Sequence, residues 1–394
     1  MPGRPVIRVS EIFTLGIILF AAACVIMTSG MIVPVLNQIG PGLGVGATAA
    51  RWVVSAPTIM VAILSPFFGS LIDRIGPKRP LIFGLLVFGL AGGAGFFITS
   101  YWLMIASRVV FGIGMAAIAL SITIFIFNLY QGPFRNTVMG WQHSGSSAGV
   151  VLWPVLSGYL GTYSWNAPFA VYFIGILLAV AGLVVLPDAR ATTGEPASAP
   201  TASGTSYFGI FRQMPLLFLP YALMLFGWVV SYGTILFAPA LLVKLGTVNT
   251  FHIGLLVSLS GVSSGIMSII YGKTRARLSN QTILSLAMII WIVALLLMFQ
   301  AGATWVAALG MSLFGFGMGA FMPALTIWVG EMAPANIRGR ATSFLITSMY
   351  LGQFLSPLFL NPAESAWGMQ PVFVVMAAIT GGIFLTLLVF RWRK

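Results

Sequence analysis

The chain has 394 residues, 59% of them hydrophobic and only 6% charged, where a soluble domain carries about 25% charged residues, so a water-soluble fold is excluded. Nineteen Lys and Arg against six Asp and Glu give a net charge of +13; the basic residues flank apolar runs, which makes anionic lipid headgroups their expected partner and not nucleic acid. The one cysteine, Cys24, permits neither an internal disulfide nor a cysteine-built metal site.

A helical span takes about 20 apolar residues. Runs bounded by Gly, Pro or charge predict spans at residues 12–36, 51–72, 81–99, 103–129, 136–160, 168–187, 214–243, 253–272, 282–301, 304–330, 339–360 and 370–390. The first run exceeds a signal-peptide core and has no small-residue cleavage pattern after it, so it reads as a retained helix. With a cytoplasmic N-terminus, sixteen basic residues fall on that side, only Arg51 and Lys244 on the other, and Arg108 alone inside a span. That is the positive-inside distribution, and it places both termini in the cytoplasm. Residues 188–213 are small, polar and Pro-containing, the composition of a flexible cytoplasmic linker. The expected fold is an all-α integral membrane protein: twelve transmembrane helices in two pseudo-symmetric six-helix bundles, 1–187 and 214–394.

Shifting the chain by 203 positions superposes Gly69 on Gly272, Arg74 on Arg277, Trp102 on Trp305, Gly112 on Gly315, Gly114 on Gly317, Arg135 on Arg338, Gly149 on Gly352 and Pro154 on Pro357. Coincidence of Trp, Pro and Arg at one unbroken offset marks an internal duplication. Two parallel repeats are a known transporter plan, with a solute site between them near the bilayer midplane.

Three motifs stand on this frame. Between the second and third spans the chain reads Gly69-Ser-Leu-Ile-Asp73-Arg74-Ile-Gly76-Pro77-Lys78, where Gly76 suits a tight turn and Asp73 suits a basic partner or a helix N-terminus. The fourth span carries Arg108 with Gly112, Gly114 and Ala116; the guanidinium lies about 8 Å inside the span, a depth that calls for pairing, snorkelling or a wet cavity. The fifth carries Gly140, Gly149, Trp153, Pro154, Ser157 and Gly158, a helix with a kink and small residues along one face.

In these motifs the chain resembles the major facilitator superfamily, and the fifth-span pattern resembles that of its twelve-helix drug/proton antiporter branch, with Trp153 and Ser157 in place of two glycines. The resemblance implies a cytoplasmic latch at Gly69, Asp73, Arg74, Gly76 and Lys78. It also implies a cavity lined chiefly by spans 1, 4, 7 and 10, with contributions from 5, 8 and 11. Residues placed to line that cavity are Arg108, Gln142, Trp153, Trp228, Tyr232, Tyr350 and Gln353. His143 and Glu331 are the candidates for proton coupling, Glu331 also having Arg338 and Arg340 nearby as ion-pair partners.

No span offers a midplane carboxylate, so selection of organic cations is disfavoured and the lone Arg108 favours anionic or neutral solutes. The run Gly145-Ser-Ser147-Ala-Gly149 fits a hydrolase pattern but falls within a predicted helix, where no strand-turn-helix elbow can form. No phosphate-binding loop, metal-ligand cluster or cofactor motif is present. The sequence thus predicts a monomeric, gradient-driven transporter of the plasma membrane that is no enzyme. It is either a proton-linked exporter or exchanger of amphipathic or anionic compounds, or an importer or facilitator of carboxylates. A non-transporting sensor and an intramembrane serine hydrolase are remote alternatives.

Overall fold

The computed structural model describes residues 9–130, 132–188, 215–333 and 338–392. Among them no strand occurs, and twelve long helices run in chain order: α1 Val9–Gly30, α2 Ala47–Ile75, α3 Lys78–Ala94, α4 Tyr101–Leu129, α5 Gly132–Gly161, α6 Ile174–Val185, α7 Phe218–Lys244, α8 Thr250–Arg275, α9 Asn280–Phe299, α10 Thr304–Met332, α11 Arg338–Trp367 and α12 Pro371–Trp392. Nine stretches of the described residues are long and apolar enough to cross a bilayer, with which a twelve-span fold is consistent. Of the predicted linker only Asp188 lies within the described residues, and it is exposed.

Local chemistry accounts for the helix ends. Gly76 closes α2 at φ +80° with its N–H on the Ile72 carbonyl at 2.8 Å, a conformation glycine adopts without a Cβ penalty. Asn249 caps α8 by accepting from the Phe251 N–H at 2.8 Å, and Ser279 caps α9 by accepting from the Thr282 N–H at 3.2 Å.

Two expected spans are interrupted. The first stops at Gly30 and continues as a 3₁₀ turn, Val33–Val35, and a short helix, Leu36–Gly42, because Pro34 has no N–H to carry the α-helical ladder through. The sixth begins as Ala167–Ala170 and a 3₁₀ turn, Val171–Phe173, before α6. That entry segment lies on the glycine-rich end of α3: a Cβ at Gly92 would stand 2.7 Å from Tyr172, and Cβ atoms at Gly93 and Gly95 would run into the rings of Phe173 and Phe169. The same glycines stop α3 at Ala94, short of the expected residue 99.

The duplication is visible in packing. Phe88 and Phe111 lie 4.8 Å apart between α3 and α4, and their counterparts at the offset of 203, Trp291 and Phe314, lie 4.8 Å apart between α9 and α10. Gly112 brings α4 onto the Pro57 carbonyl of α2, and Gly315 brings α10 onto the Ser260 carbonyl of α8, the same pair shifted by the same offset. The halves meet along two seams, α5 on α8 and α2 on α11.

Candidate functional site

Both seams are tied at the end of the molecule that carries Arg51. On the α5–α8 seam the Thr250 hydroxyl donates to the Gly158 carbonyl at 2.9 Å. Gly254 there leaves room for the Pro154 carbonyl, and Gly158 for that of Thr250. The helix-5 motif is therefore a contact surface between halves, with Pro154 supplying a carbonyl and the glycines supplying proximity. Gly149 faces inward in the first half instead: a Cβ there would stand 2.8 Å from the Trp153 indole nitrogen.

On the α2–α11 seam Arg51 is 2% exposed and pairs through both terminal nitrogens with Glu364, the Nη2–Oε1 distance being 2.6 Å. Its Nη1 also donates to Asn361 Oδ1 at 2.9 Å, and its guanidinium lies 3.9 Å above the Phe237 ring of α7. Below it the Tyr232 hydroxyl donates to the Val54 carbonyl at 3.0 Å, and Trp52 meets Phe354 at 5.5 Å. Toward the other end of the same helices, Gly69 on α2 and Gly265 and Gly272 on α8 have no described atom within 4 Å of where a Cβ would stand.

The expected cavity residues distribute unevenly. Trp228, half-buried on α7, donates its indole N–H to the Met322 sulfur of α10 at 3.2 Å. The Ser231 hydroxyl, one turn on, faces Met318 Sδ at 3.7 Å. Tyr232, Tyr350 and Gln353 are buried, at 3%, 8% and 7% exposure, on α7 and α11. Gln142 is half-buried on α5. Trp153 belongs to the first half, its indole N–H on the Ala23 carbonyl of α1 at 2.9 Å and its ring 6.2 Å from Phe20.

Arg108 is fully buried, and its hydrogen bonds and ring contacts lie within the first half. Nη2 donates to the Ala91 and Gly92 carbonyls at 2.7 and 2.9 Å, and the rings of Phe111, Phe169 and Tyr172 surround the guanidinium at 5.0, 5.1 and 5.7 Å. Ala91 and Gly92 are in the last turn of α3, where the Gly92 carbonyl also accepts from the Gly95 N–H at 3.3 Å, so Arg108 adds charge-assisted bonds to that helix end and opposes its dipole. Nη1, also buried, has no hydrogen-bond partner among the described residues.

The proton-coupling and latch candidates fall near the opposite end from Arg51. Glu331 pairs with Arg275 of α8 at 2.9 Å and accepts from the Asn280 amide at 3.0 Å; the side chains of the expected partners Arg338 and Arg340 lie outside what is described. At the offset of 203 Ala276 stands in the place of Asp73, and the acid beside this loop is Glu331 of α10. Gly76 forms the turn, Arg74 is exposed and Lys78 half-buried; the side chains of Asp73 and His143 lie outside what is described. Gly140 lies in α5 with no described atom within 4 Å of a would-be Cβ. The Gly145–Gly149 run is inside α5, with no strand before it.

Arg51, Asn361 and Glu364 are absent from the expected site residues. A signal existed: at that end of the molecule the sequence places only two basic residues, Arg51 and Lys244, and Glu364 close by in the predicted order of spans. Among the described residues no group of three His, Cys, Asp or Glu side chains is gathered as a metal site would need.

The family profile described as Major Facilitator Superfamily matches residues 18–247 and 232–394. The multi-drug resistance efflux pump PmrA of Streptococcus pneumoniae is 26% identical over 353 residues, covering 87% of each chain. The quinolone resistance protein NorA of Staphylococcus aureus is 22% identical over 370 residues, covering 91% of this chain and 92% of NorA. In fold, a bacterial homolog of the human lysosomal transporter Spinster superposes with a TM-score of 0.79 at 14% identity over 97% of each chain. The nucleoside transporter NupG superposes with a TM-score of 0.79 at 13% identity over 96% of this chain and 99% of its own. The chain, a multi-pass membrane protein, belongs to the Major Facilitator Superfamily, a family of transporters and not of enzymes.

Proposed function

We propose that the protein is a gradient-driven exporter of small amphipathic organic compounds, working by alternating access between residues 1–187 and 214–394 and linked to protons. The observation that carries this reading is the helix-5 motif lying on the seam between halves, where Gly158 and Gly254 let α5 and α8 approach to backbone contact. A seam of small residues is a surface on which two bundles can rock. The curated relatives, efflux proteins by name, support the direction and the class of solute. Trp228, Met318 and Met322 add a soft, polarisable surface with few fixed polar groups, the chemistry that accepts varied amphipathic shapes. A carboxylate importer is the second reading, and it rests on the buried Nη1 of Arg108, which has no hydrogen-bond partner among the described residues while Nη2 is held by carbonyls.

The protein acts as a monomer in a bacterial plasma membrane, both termini cytoplasmic, its flanking Lys and Arg against anionic headgroups. Proteoliposomes with an imposed proton gradient test this reading. Wild-type protein is expected to move a lipophilic dye against its gradient, and His143→Gln to flatten the pH dependence of that flux. No gradient-dependent dye movement sinks the exporter; an unchanged pH profile removes His143 as proton carrier.

A further inference from the structure

The offset of 203 that relates the halves maps Arg51 onto Gly254, Asn361 onto Gly158 and Glu364 onto Gly161. The pair Arg51–Asn361 on α2–α11 thus has its counterpart in the close approach of Gly254 to Gly158 on α5–α8, and Gly161, at the place of Glu364, lies against Thr250 of α8. On the glycine side the join is made by shape: Gly158 and Gly254 are pressed against the Thr250 and Pro154 carbonyls, and a Cβ at Gly161 would stand 3.1 Å from the Thr250 hydroxyl. On the other side it is made by charge, with Arg51 buried at 2% exposure and Glu364 at 19%.

The two kinds of contact respond differently to separation. Backbone contact through glycines weakens gradually with small displacements. A desolvated ion pair loses its strength once water enters, while an unpaired charge left dry is costly. Only two arrangements then satisfy Arg51: closed, dry and paired with Glu364, or open, with each group hydrated separately. A space of about 280 Å³ bordered by Leu36, Asn37, Pro41, Arg51 and Leu236 adjoins the pair, and the buried Asn37 side-chain nitrogen beside it has no hydrogen-bond partner. Of the pair, Arg51 lines that space and Glu364 does not.

We propose that Arg51, Asn361 and Glu364 form a charged clasp that closes one mouth of the transport path, with the α5–α8 glycine seam as its pivot. The proposal rests on the transporter reading. The clasp makes gating two-state: its rupture exposes the path at the Arg51 end, and its re-formation returns the protein to the state described here.

A thiol beneath the clasp tests it. Ser55, fully buried one turn below Arg51 on α2, is replaced by Cys in full-length protein in nanodiscs, and its rate of reaction with a polar maleimide is measured. Glu364→Gln is expected to raise that rate about tenfold by shifting the closed population. The exchanged pair Arg51→Glu with Glu364→Arg is expected to bring it back to within about twofold of the parent. A parallel set without the introduced thiol reads the buried native Cys24, which is expected to stay at its parent rate. An unchanged rate in Glu364→Gln, a rise shared by Cys24, or no recovery in the exchanged pair overturns the clasp. The labelling uses no solute, so absence of dye flux in wild-type protein would sink the transport reading while leaving this result intact.

Discussion

Arg108 shows how a single charge inside a membrane protein is settled by what lies within reach of it. Its Nη2 bonds two carbonyls of the last turn of α3, and three aromatic rings enclose the cation. Arg108→Ala is expected to lower stability by about 3 kcal/mol, since two charged hydrogen bonds are lost and the Ala91 carbonyl loses its side-chain donor. Arg108→Lys should recover only part of it, because an ammonium does not reproduce the planar guanidinium fork or its stacking. Thermal unfolding in detergent measures the first effect, and dye flux per folded molecule separates bracing from solute binding. Retained stability with lost flux would return Arg108 to the cavity. Glu331 is the opposite case: its pair with Arg275 is half-exposed, at 52% and 36% exposure, and a pair so wetted contributes no more than about 1 kcal/mol.

At the level of elements, the helix-5 pattern is legible in sequence as small residues on one face, and its partner α8 supplies the matching Gly254 and Gly261. What the pattern does not disclose is which positions are tight. A Cβ at Gly254 would strike the Pro154 carbonyl, whereas one at Gly265, on the same helix, meets no described atom within 4 Å. Gly254→Ala is therefore expected to cost about 1–3 kcal/mol in the closed seam. Gly265→Ala is expected to be neutral or stabilising by up to about 1 kcal/mol, through helix propensity. Unfolding midpoints of the two variants side by side measure this, and equal shifts would remove the tight seam. The interrupted first and sixth spans are the elements that hydropathy misreads. An apolar run reports that a segment is greasy, and a 3₁₀ turn at Pro34 or at Val171–Phe173 is equally greasy.

For the whole molecule, the duplication governs both what is shared and what differs between halves. Shared are the ring pairs Phe88–Phe111 and Trp291–Phe314 and the glycine crossings at Gly112 and Gly315; different are the ties at the Arg51 end. A solute held between the halves binds the folded protein alone, so an exported dye at a hundred times its Kd should stabilise the protein by about 2.7 kcal/mol. A ligand screen by thermal unfolding checks this, and dyes that are moved yet leave the midpoint unchanged would place recognition outside the inter-bundle space.

Membrane residence, the order of most spans, the repeat offset and the motif positions follow from the amino-acid order alone, because composition, hydropathy and period are properties of neighbours along the chain. Partnership was decided only in three dimensions. Glu331 takes Arg275 from α8, Arg108 takes two carbonyls of the last turn of α3, and Arg51 takes Glu364 from 313 residues away. Each choice depends on which groups the folded bundles bring within a few ångströms, and for the buried Arg108 and Arg51, where a charge must find a partner away from water, the nearest one is set by packing.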